Sequence, residues 1–162
     1  MSMVDFGDWL YATPVSTAIR ETSWIIPNLQ SIHILAIAVL VGSALVTELR
    51  FAGVLAVDRP VGDVMRRFLP WMRWALLVLL LTGVVLVVAE PGRTLTNTVF
   101  LTKMALVAGA SLVTLQARKS LLVASPVQEG ETSPAEASKA LAWLMLVVWC
   151  LVIFCGRFIA YV

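Results

Sequence analysis

The chain has 162 residues, of which 60% are hydrophobic and 14% are charged, and its mean hydropathy is +0.92. These values exclude an ordinary soluble domain and are typical of a polytopic membrane protein, so a lipid bilayer is the first predicted partner. The formal net charge of +2 is too small to indicate nucleic-acid binding. The positions of the basic residues therefore matter more than their number.

Residues 1–23 predict a short amphipathic helix on the outer membrane surface. Phe6 and Trp9 fall on an apolar face, opposite Asp5 and Asp8. A frayed terminus is the alternative, because the apolar face is short. The segment begins with acidic residues and has no continuous apolar core, so we expect neither a signal peptide nor a transit peptide.

Residues 24–162 predict an all-α bundle of four transmembrane helices. The predicted spans cover about 24–47, 71–89, 99–115 and 140–162. Asn97 and Thr98 are typical of the cap that begins a helix, and the sequence Glu90-Pro91-Gly92 is typical of a turn. The polar stretch 121–138, with its prolines, glycine and glutamates, predicts a hydrophilic inner loop.

The basic residues orient this bundle. Eight of the twelve Lys and Arg residues lie in the connectors after the first and third spans, whereas Arg20, Arg93, Lys103 and Arg157 lie towards the other side. Cytoplasmic loops of membrane proteins carry an excess of Lys and Arg. Both termini are therefore predicted to face outward.

The chain's only histidine, His33, lies in an apolar run within the first span. An ionisable side chain at membrane depth is a functional-site hypothesis by default. Gln30 is its helical neighbour three residues earlier. At about 1.5 Å per residue, His33 lies roughly 12 to 14 Å below Trp24, and Lys103 lies roughly 6 to 8 Å inside the same surface. Arg157 is expected at the level of Lys103, with Asn97 and Tyr161 in the same outer layer.

This arrangement suits a b-type haem, which needs an imidazole for its iron and cations for its two carboxylates. The sequence predicts that His33 ligates the iron and that Lys103 and Arg157 pair with the carboxylates. Asn97, Gln30 and Tyr161 complete the predicted cofactor-binding set. The predicted role is electron transfer or redox chemistry near the outer surface, with a quinone, a porphyrin or a redox protein as partner. The residues leave open whether the protein is a haem-dependent oxidoreductase.

Several alternatives stay open from the residues alone. His33 serves equally well as a structural histidine bonded to Gln30 or to a helix carbonyl, or as a residue that handles copper or protons. Scattered methionines disfavour copper, since a cuprous site uses clustered sulfur ligands. The protein as a whole also fits a small anion or copper channel with an outer polar vestibule, or a non-catalytic accessory subunit. Glu48 and Arg50 predict an anchor at the inner surface.

Six short stretches resemble an uncharacterised family of bacterial four-span membrane proteins. They are WIIP at 24–27, IHIL at 32–35, ELRFAG at 48–53, LPW at 69–71, NTVFLTK at 97–103 and GRFIAY at 156–161. The resemblance covers nearly the whole chain and implies a location in the bacterial inner (cytoplasmic) membrane. Small residues at Ala38, Gly42 and Ser43 favour close helix packing, and we expect a homo-oligomer.

More distantly, the chain is similar to the HemJ-type protoporphyrinogen oxidases and to the copper-resistance D membrane domain. The similarity consists of a histidine in the first span, followed by a glycine and a charged Leu-Arg pair, and of a lysine that opens the third span. It implies that the protein holds haem b, that His33 is an axial ligand, and that Lys103 is a second ligand or an anion-binding group.

Overall fold

The computed structural model describes residues 2–114 and 136–158, except for the side chains of 136–138 and Arg157. These residues form seven helices and no β-strand, so the predicted all-α class is confirmed for them. The helices are α1 (Met3–Tyr11), α2 (Pro14–Glu21), α3 (Ile25–Phe51), α4 (Val61–Ala89), α5 (Pro91–Leu95), α6 (Thr98–Leu112) and α7 (Glu136–Phe158). Most of the predicted loop 121–138 lies outside the described residues.

Three helices are long and apolar enough to cross a membrane: α3, α4 and the part of α7 from Lys139 to Gly156. Helix α6 is apolar but has 15 residues in its described part. This corresponds to roughly 22 Å, against about 30 Å for the hydrocarbon core of a bilayer. The helices therefore indicate a membrane protein with three spanning helices and a shorter apolar one.

Helix α4 begins about ten residues before the predicted start of the second span, so the connector after α3 is shorter than expected. Pro70 lies inside the helix and does not end it. Met65 and Leu69, which precede the proline, are buried in a cluster with Phe51 of α3 and Ala142 of α7. This packing stabilises the first turns of α4 and outweighs the backbone hydrogen bond that a proline removes.

The N-terminal segment forms two helices where one was predicted. Pro14 occupies the first turn of α2, and the Thr13 hydroxyl caps that helix by accepting a hydrogen bond from the Ser16 N–H at 3.3 Å. A proline is favourable in the first turn of a helix but breaks a helix that continues through it. The same rule explains α5, which was not predicted and which begins at Pro91.

The long helices pack antiparallel in levels along α3. The central level contains Leu40 and Ala44 of α3, and around them lie Met72, Ala75, Ala110, Met145 and Trp149 from the other three helices. On one side of it lies the cluster of Phe51, and on the other side lies His33. We call these two sides the Glu48 end and the His33 end of the bundle.

Helices α1 and α2 dock on the His33 end. Ser16 is completely buried, and its hydroxyl donates a hydrogen bond to the Val88 carbonyl of α4 at 2.7 Å. The Arg20 guanidinium donates to the Ala89 carbonyl at 3.4 Å. Gly7 of α1 faces the backbone of α5, and a methyl group at this position would make an ordinary contact with Gly92 at 3.8 Å. The amphipathic segment is thus fastened to the end of α4.

Candidate functional site

His33 is half-buried between α3 and α4, and its ring is held by Thr82. The Nδ1 atom lies 2.6 Å from the Thr82 hydroxyl oxygen. That hydroxyl lies 2.7 Å from the Val78 carbonyl, to which it donates its single proton. The hydroxyl therefore accepts a hydrogen bond from His33, which assigns the proton of the neutral imidazole to Nδ1. The lone pair is left on Nε2, and the described residues give this atom no hydrogen bond.

Gly83 follows Thr82 and faces the same ring. A methyl group on Gly83 would lie 3.7 Å from His33 Cε1. Because glycine has no side chain, α4 places only backbone atoms beside the Cε1 edge of the imidazole at this point. Two consecutive residues of α4 therefore face the ring, Thr82 through a hydrogen bond and Gly83 without a side chain.

Lys103 of α6 is brought to the same end of the bundle. The half-buried ammonium interacts electrostatically with His33 and with Cys155 of α7. A methyl group on Gly156 would lie 3.4 Å from Lys103 Nζ, so the ammonium rests against the backbone of α7. His33 and Lys103, which are far apart in sequence, thus lie at the same end of the bundle and interact through their charges.

The other predicted cofactor residues have mixed placements. Gln30 is exposed and is not the hydrogen-bond partner of His33, since Thr82 has that position. Arg157 lies in α7, but its side chain is outside the described part of the chain, as is the whole of Tyr161. Asn97 caps α6, because its Oδ1 atom accepts hydrogen bonds from the N–H groups of Val99 at 2.9 Å and Phe100 at 3.2 Å. The predicted cap is confirmed, and this oxygen is committed to the helix.

Sequence reasoning missed Thr82, although the second span held a signal for it. Thr82 is the only residue with a polar side chain between Trp74 and Glu90. It is 7% exposed and bonds both to its own helix and to His33. A lone hydroxyl in an apolar span is a reasonable candidate for contact with a lone histidine in another span.

Glu48 and Arg50 are buried, so their prediction as a surface anchor is wrong. Their exposed fractions are 0% and 1%. The Arg50 Nε–H group donates to the Arg59 carbonyl at 2.9 Å and thereby holds the connector between α3 and α4. The physical reason is that α3 continues to Phe51 and α4 begins at Val61, so both helices extend past these side chains.

A polar cleft of about 370 Å³ lies at the His33 end, between α1, α2 and α5. Its lining residues are Asp8, Tyr11, Arg20, Glu90, Gly92 and Arg93. The Arg20 guanidinium lies 3.5 Å from the centroid of the Tyr11 ring and also donates to the Tyr11 carbonyl at 3.1 Å. Arg93 and Glu90 form a half-exposed ion pair at 3.4 Å. The Arg20 contacts join α2 to α1, and the ion pair is local to α5, so we assign both a structural role.

A family model matches residues 23–162, which is the part of the chain that follows α1 and α2. It describes a family of unknown function, DUF6644. The chain belongs to this family. The predicted resemblance to an uncharacterised family is confirmed in that respect, and the match leaves the activity open. No curated protein and no solved structure matches the chain, so the similarity to HemJ-type oxidases and to the copper-resistance D domain has no support from these comparisons.

Proposed function

We propose that this protein binds haem b through His33 and uses it for electron transfer or redox chemistry. The observation that carries the proposal is the hydrogen bond between His33 Nδ1 and the Thr82 hydroxyl. Histidines that ligate a metal almost always donate their other ring N–H to a protein acceptor, which fixes the tautomer and the orientation of the ring. Thr82 is such an acceptor, and it leaves Nε2 as the ligating atom.

The surroundings of His33 also fit the group. Gly83 leaves room beside the ring at Cε1, where a bulky side chain would hinder the approach of a flat macrocycle. Lys103 supplies a cation in electrostatic range of His33, as a haem carboxylate requires. In this proposal Arg157 is the second carboxylate partner, and Gln30, Asn97 and Tyr161 belong to the same outer layer.

Haem, when bound, supplies one-electron transfer at its iron. The protein's own residues orient the ligand and tune its surroundings. Thr82 restrains rotation of the His33 ring and increases the basicity of Nε2, because its hydroxyl oxygen accepts a hydrogen bond from the Nδ1–H group. Lys103 neutralises a carboxylate that is partly withdrawn from water. The site lies near one end of the bundle, within reach of a quinone, a porphyrin or a redox protein, and a haem-dependent oxidoreductase activity is part of this proposal.

The membrane arrangement that we propose with this function has four spans and both termini outward, in the bacterial inner membrane. Helix α6 then belongs to the third span, which the sequence predicts over about 99–115. The support is the antiparallel packing of the long helices, together with the location of eight of the twelve basic residues at or beyond the inner ends of the predicted spans. We also propose a homo-oligomer, in which apolar side chains exposed in one chain pack against another.

The channel hypothesis has less support at the same residues. Asn28 and Ser31, which belong to the polar first third of α3, donate hydrogen bonds to carbonyls of their own helix. The Asn28 amide donates to Trp24 at 2.8 Å, and the Ser31 hydroxyl donates to Pro27 at 2.9 Å. No comparable observation favours copper transport or an accessory role, so haem binding is the function that we carry forward.

Visible spectroscopy of the purified protein tests the proposal. We expect protein from haem-replete cells to show a Soret band and a pyridine haemochrome spectrum of haem b. The His33→Ala variant should lose both, whereas Ser31→Ala, two residues earlier, exposed and bonded to its own helix, should keep them. Helical content and size-exclusion behaviour report whether each variant is folded. A colourless wild-type protein, or a folded His33→Ala protein with an unchanged spectrum, overturns the proposal.

A further inference from the structure

A groove of about 350 Å³ runs along the exposed side of α4, nearer to the Glu48 end than Thr82, which contacts His33. Its lining residues are Pro70, Arg73, Trp74 and Leu77. Their spacing places them on one face of a helix, and Arg66, four residues before Pro70, continues that face towards the Glu48 end. The groove therefore has a basic part and an apolar part in a defined order along the helix.

The order of these residues matches the boundary of a bilayer. Helix α4 has 29 residues and is roughly 43 Å long, which exceeds the hydrocarbon core of about 30 Å. Its charged residues all precede Trp74, and the run from Trp74 to Ala89 has none. Arg73 therefore marks the level at which the helix leaves the hydrocarbon. Arg66 lies about two turns further out, at the depth of lipid headgroups.

The apolar part of the groove is uncovered. Trp74 is 66% exposed and Leu77 is 43% exposed. Leu80, Leu81 and Val84 extend the same exposed surface towards the His33 end. Large apolar side chains at this depth contact lipid tails, and a groove between them provides a track for one acyl chain.

The basic part has more cations than acids. In the described part of the chain neither Arg66 nor Arg73 forms an ion pair, and Asp63, one turn before Arg66, is the only acidic residue of α4, so this face keeps a net positive charge. A guanidinium binds phosphate oxygens with paired N–H donors. A zwitterionic headgroup would also require a nearby carboxylate for its cationic end. The charge of the groove therefore complements an anionic headgroup.

We propose that this groove is a binding site for an anionic phospholipid. The headgroup phosphate binds Arg73 and Arg66, the glycerol region lies beside Pro70, and one acyl chain follows Trp74 and Leu77. The site is separate from the proposed haem site, so the two proposals fail or succeed independently. The shared chemistry is that of a phosphate anion, and the lipid is distinguished from free phosphate by its need for the apolar track.

Native mass spectrometry of the full-length protein, released from nanodiscs of phosphatidylcholine mixed with phosphatidylglycerol, tests this site. A single cation near a membrane surface contributes about 1 kcal/mol, or about fivefold in affinity. We expect wild-type protein to retain phosphatidylglycerol over phosphatidylcholine by about this factor or more. Arg73→Gln should lose the preference, whereas Arg93→Gln, which removes a half-exposed cation at the His33 end, should keep it.

A matched pair of tryptophan variants tests the apolar track. Trp71 and Trp74 are both more than half exposed, but only Trp74 lines the groove. Trp74→Leu should weaken lipid retention and Trp71→Leu should not. Equal retention of both lipids by wild-type protein, or a preference that persists when Arg66 and Arg73 are both replaced by Gln, overturns the proposal. Competition by inorganic phosphate as effective as that by phosphatidylglycerol would assign the groove to a free anion and also overturn it.

Discussion

The two ends of the bundle treat their ionisable groups in opposite ways. At the Glu48 end, Glu48 and Arg50 are withdrawn from solvent almost completely. At the His33 end, His33 and Lys103 are only half-buried, and one nitrogen of the imidazole has no hydrogen bond from the described residues. Both pairs lie at helix positions where the neighbouring residues are apolar, so hydropathy alone does not separate them.

The difference teaches how burial separates a structural role from a functional one. A charge removed from water costs several kcal/mol unless other groups of the protein replace its hydration. Arg50 meets part of this requirement by its bond to the Arg59 carbonyl and is thereby fixed in place. His33 is fixed on one side only, by Thr82, and keeps an atom available for a ligand. The Glu48 end therefore has a structural role, and the His33 end can bind a ligand.

The largest effect on the free energy of unfolding is expected from Arg50→Met. Removal of one member of a buried polar network costs about 3 to 5 kcal/mol when the remaining groups stay buried. We expect a loss of about 3 kcal/mol in the free energy of unfolding, measured by circular dichroism in mixed detergent micelles. Arg67→Met removes an exposed arginine from α4 and should change the stability by about 0.5 kcal/mol or less. Similar values for the two variants would contradict the structural role of the Glu48 end.

The second prediction concerns Thr82→Val, which keeps the shape of the side chain but removes the acceptor for His33. Mutation of an outer partner of a ligand typically costs 10- to 100-fold in affinity. We expect haem affinity to fall by about this factor in titrations of the haem-free protein. The free energy of unfolding should fall by only about 1 kcal/mol.

Thr82→Ser is the matched control, because it keeps the hydroxyl. Its haem affinity should remain close to that of the wild-type protein. If Thr82→Val binds haem as tightly as Thr82→Ser, the hydrogen bond does not orient the ligand, and the contrast between the two ends loses its main support.

A smaller effect is expected from Gly156→Leu. A side chain here would occupy the space of the Lys103 ammonium, since even the first carbon atom would lie 3.4 Å from Nζ. Loss of a partly exposed ion pair costs about 1 kcal/mol, so haem affinity should fall by about fivefold. Gly156→Ala requires a shift of only a few tenths of an ångström and should bind haem normally. Unchanged binding by Gly156→Leu would remove Lys103 from the proposed site.

The smallest effect concerns the edge of the His33 end, where α1 begins. Hydrogen bonds from the Ser2 backbone and side chain hold the pKa of the exposed Asp5 carboxylate below its ordinary value of 3.8. A lowered pKa stabilises the folded form above the ordinary value, and this contribution is lost as the pH falls through the lowered value. Amide hydrogen exchange in the first turn of α1 should therefore become less protected, after correction for its intrinsic pH dependence, between about pH 5 and about pH 3. Asp5→Asn should remove this dependence, and an identical profile in both proteins would contradict it.

Much of the fold follows from local patterns. The apolar runs predicted the helical class and most of the spanning segments, and Asn97 predicted the start of α6. The start of α4 was misplaced because arginines and Pro70 are usually signs of a connector. Contacts with Phe51 and Ala142 outweigh those signs, and residues distant in sequence supply them.

The candidate site shows the same division between local and long-range information. His33 and Lys103 were identified from their rarity within apolar segments, because a charged group in lipid requires a reason. Thr82 was missed because its role depends on a residue 49 positions away. A helical period shows which residues share a face of one helix, but it does not give the register between two helices.

The sequence by itself therefore determined an all-helical membrane protein with a single imidazole inside its first span, because hydropathy and helical period are properties of each segment alone. Only the tertiary structure decided which nitrogen of that imidazole forms the hydrogen bond to Thr82, and that Lys103 of α6 lies in electrostatic range of the ring. The tertiary structure also decided that Glu48 and Arg50 are buried instead of exposed. These three outcomes depend on how far each helix extends and on its register against its neighbours, which side-chain packing between distant segments sets.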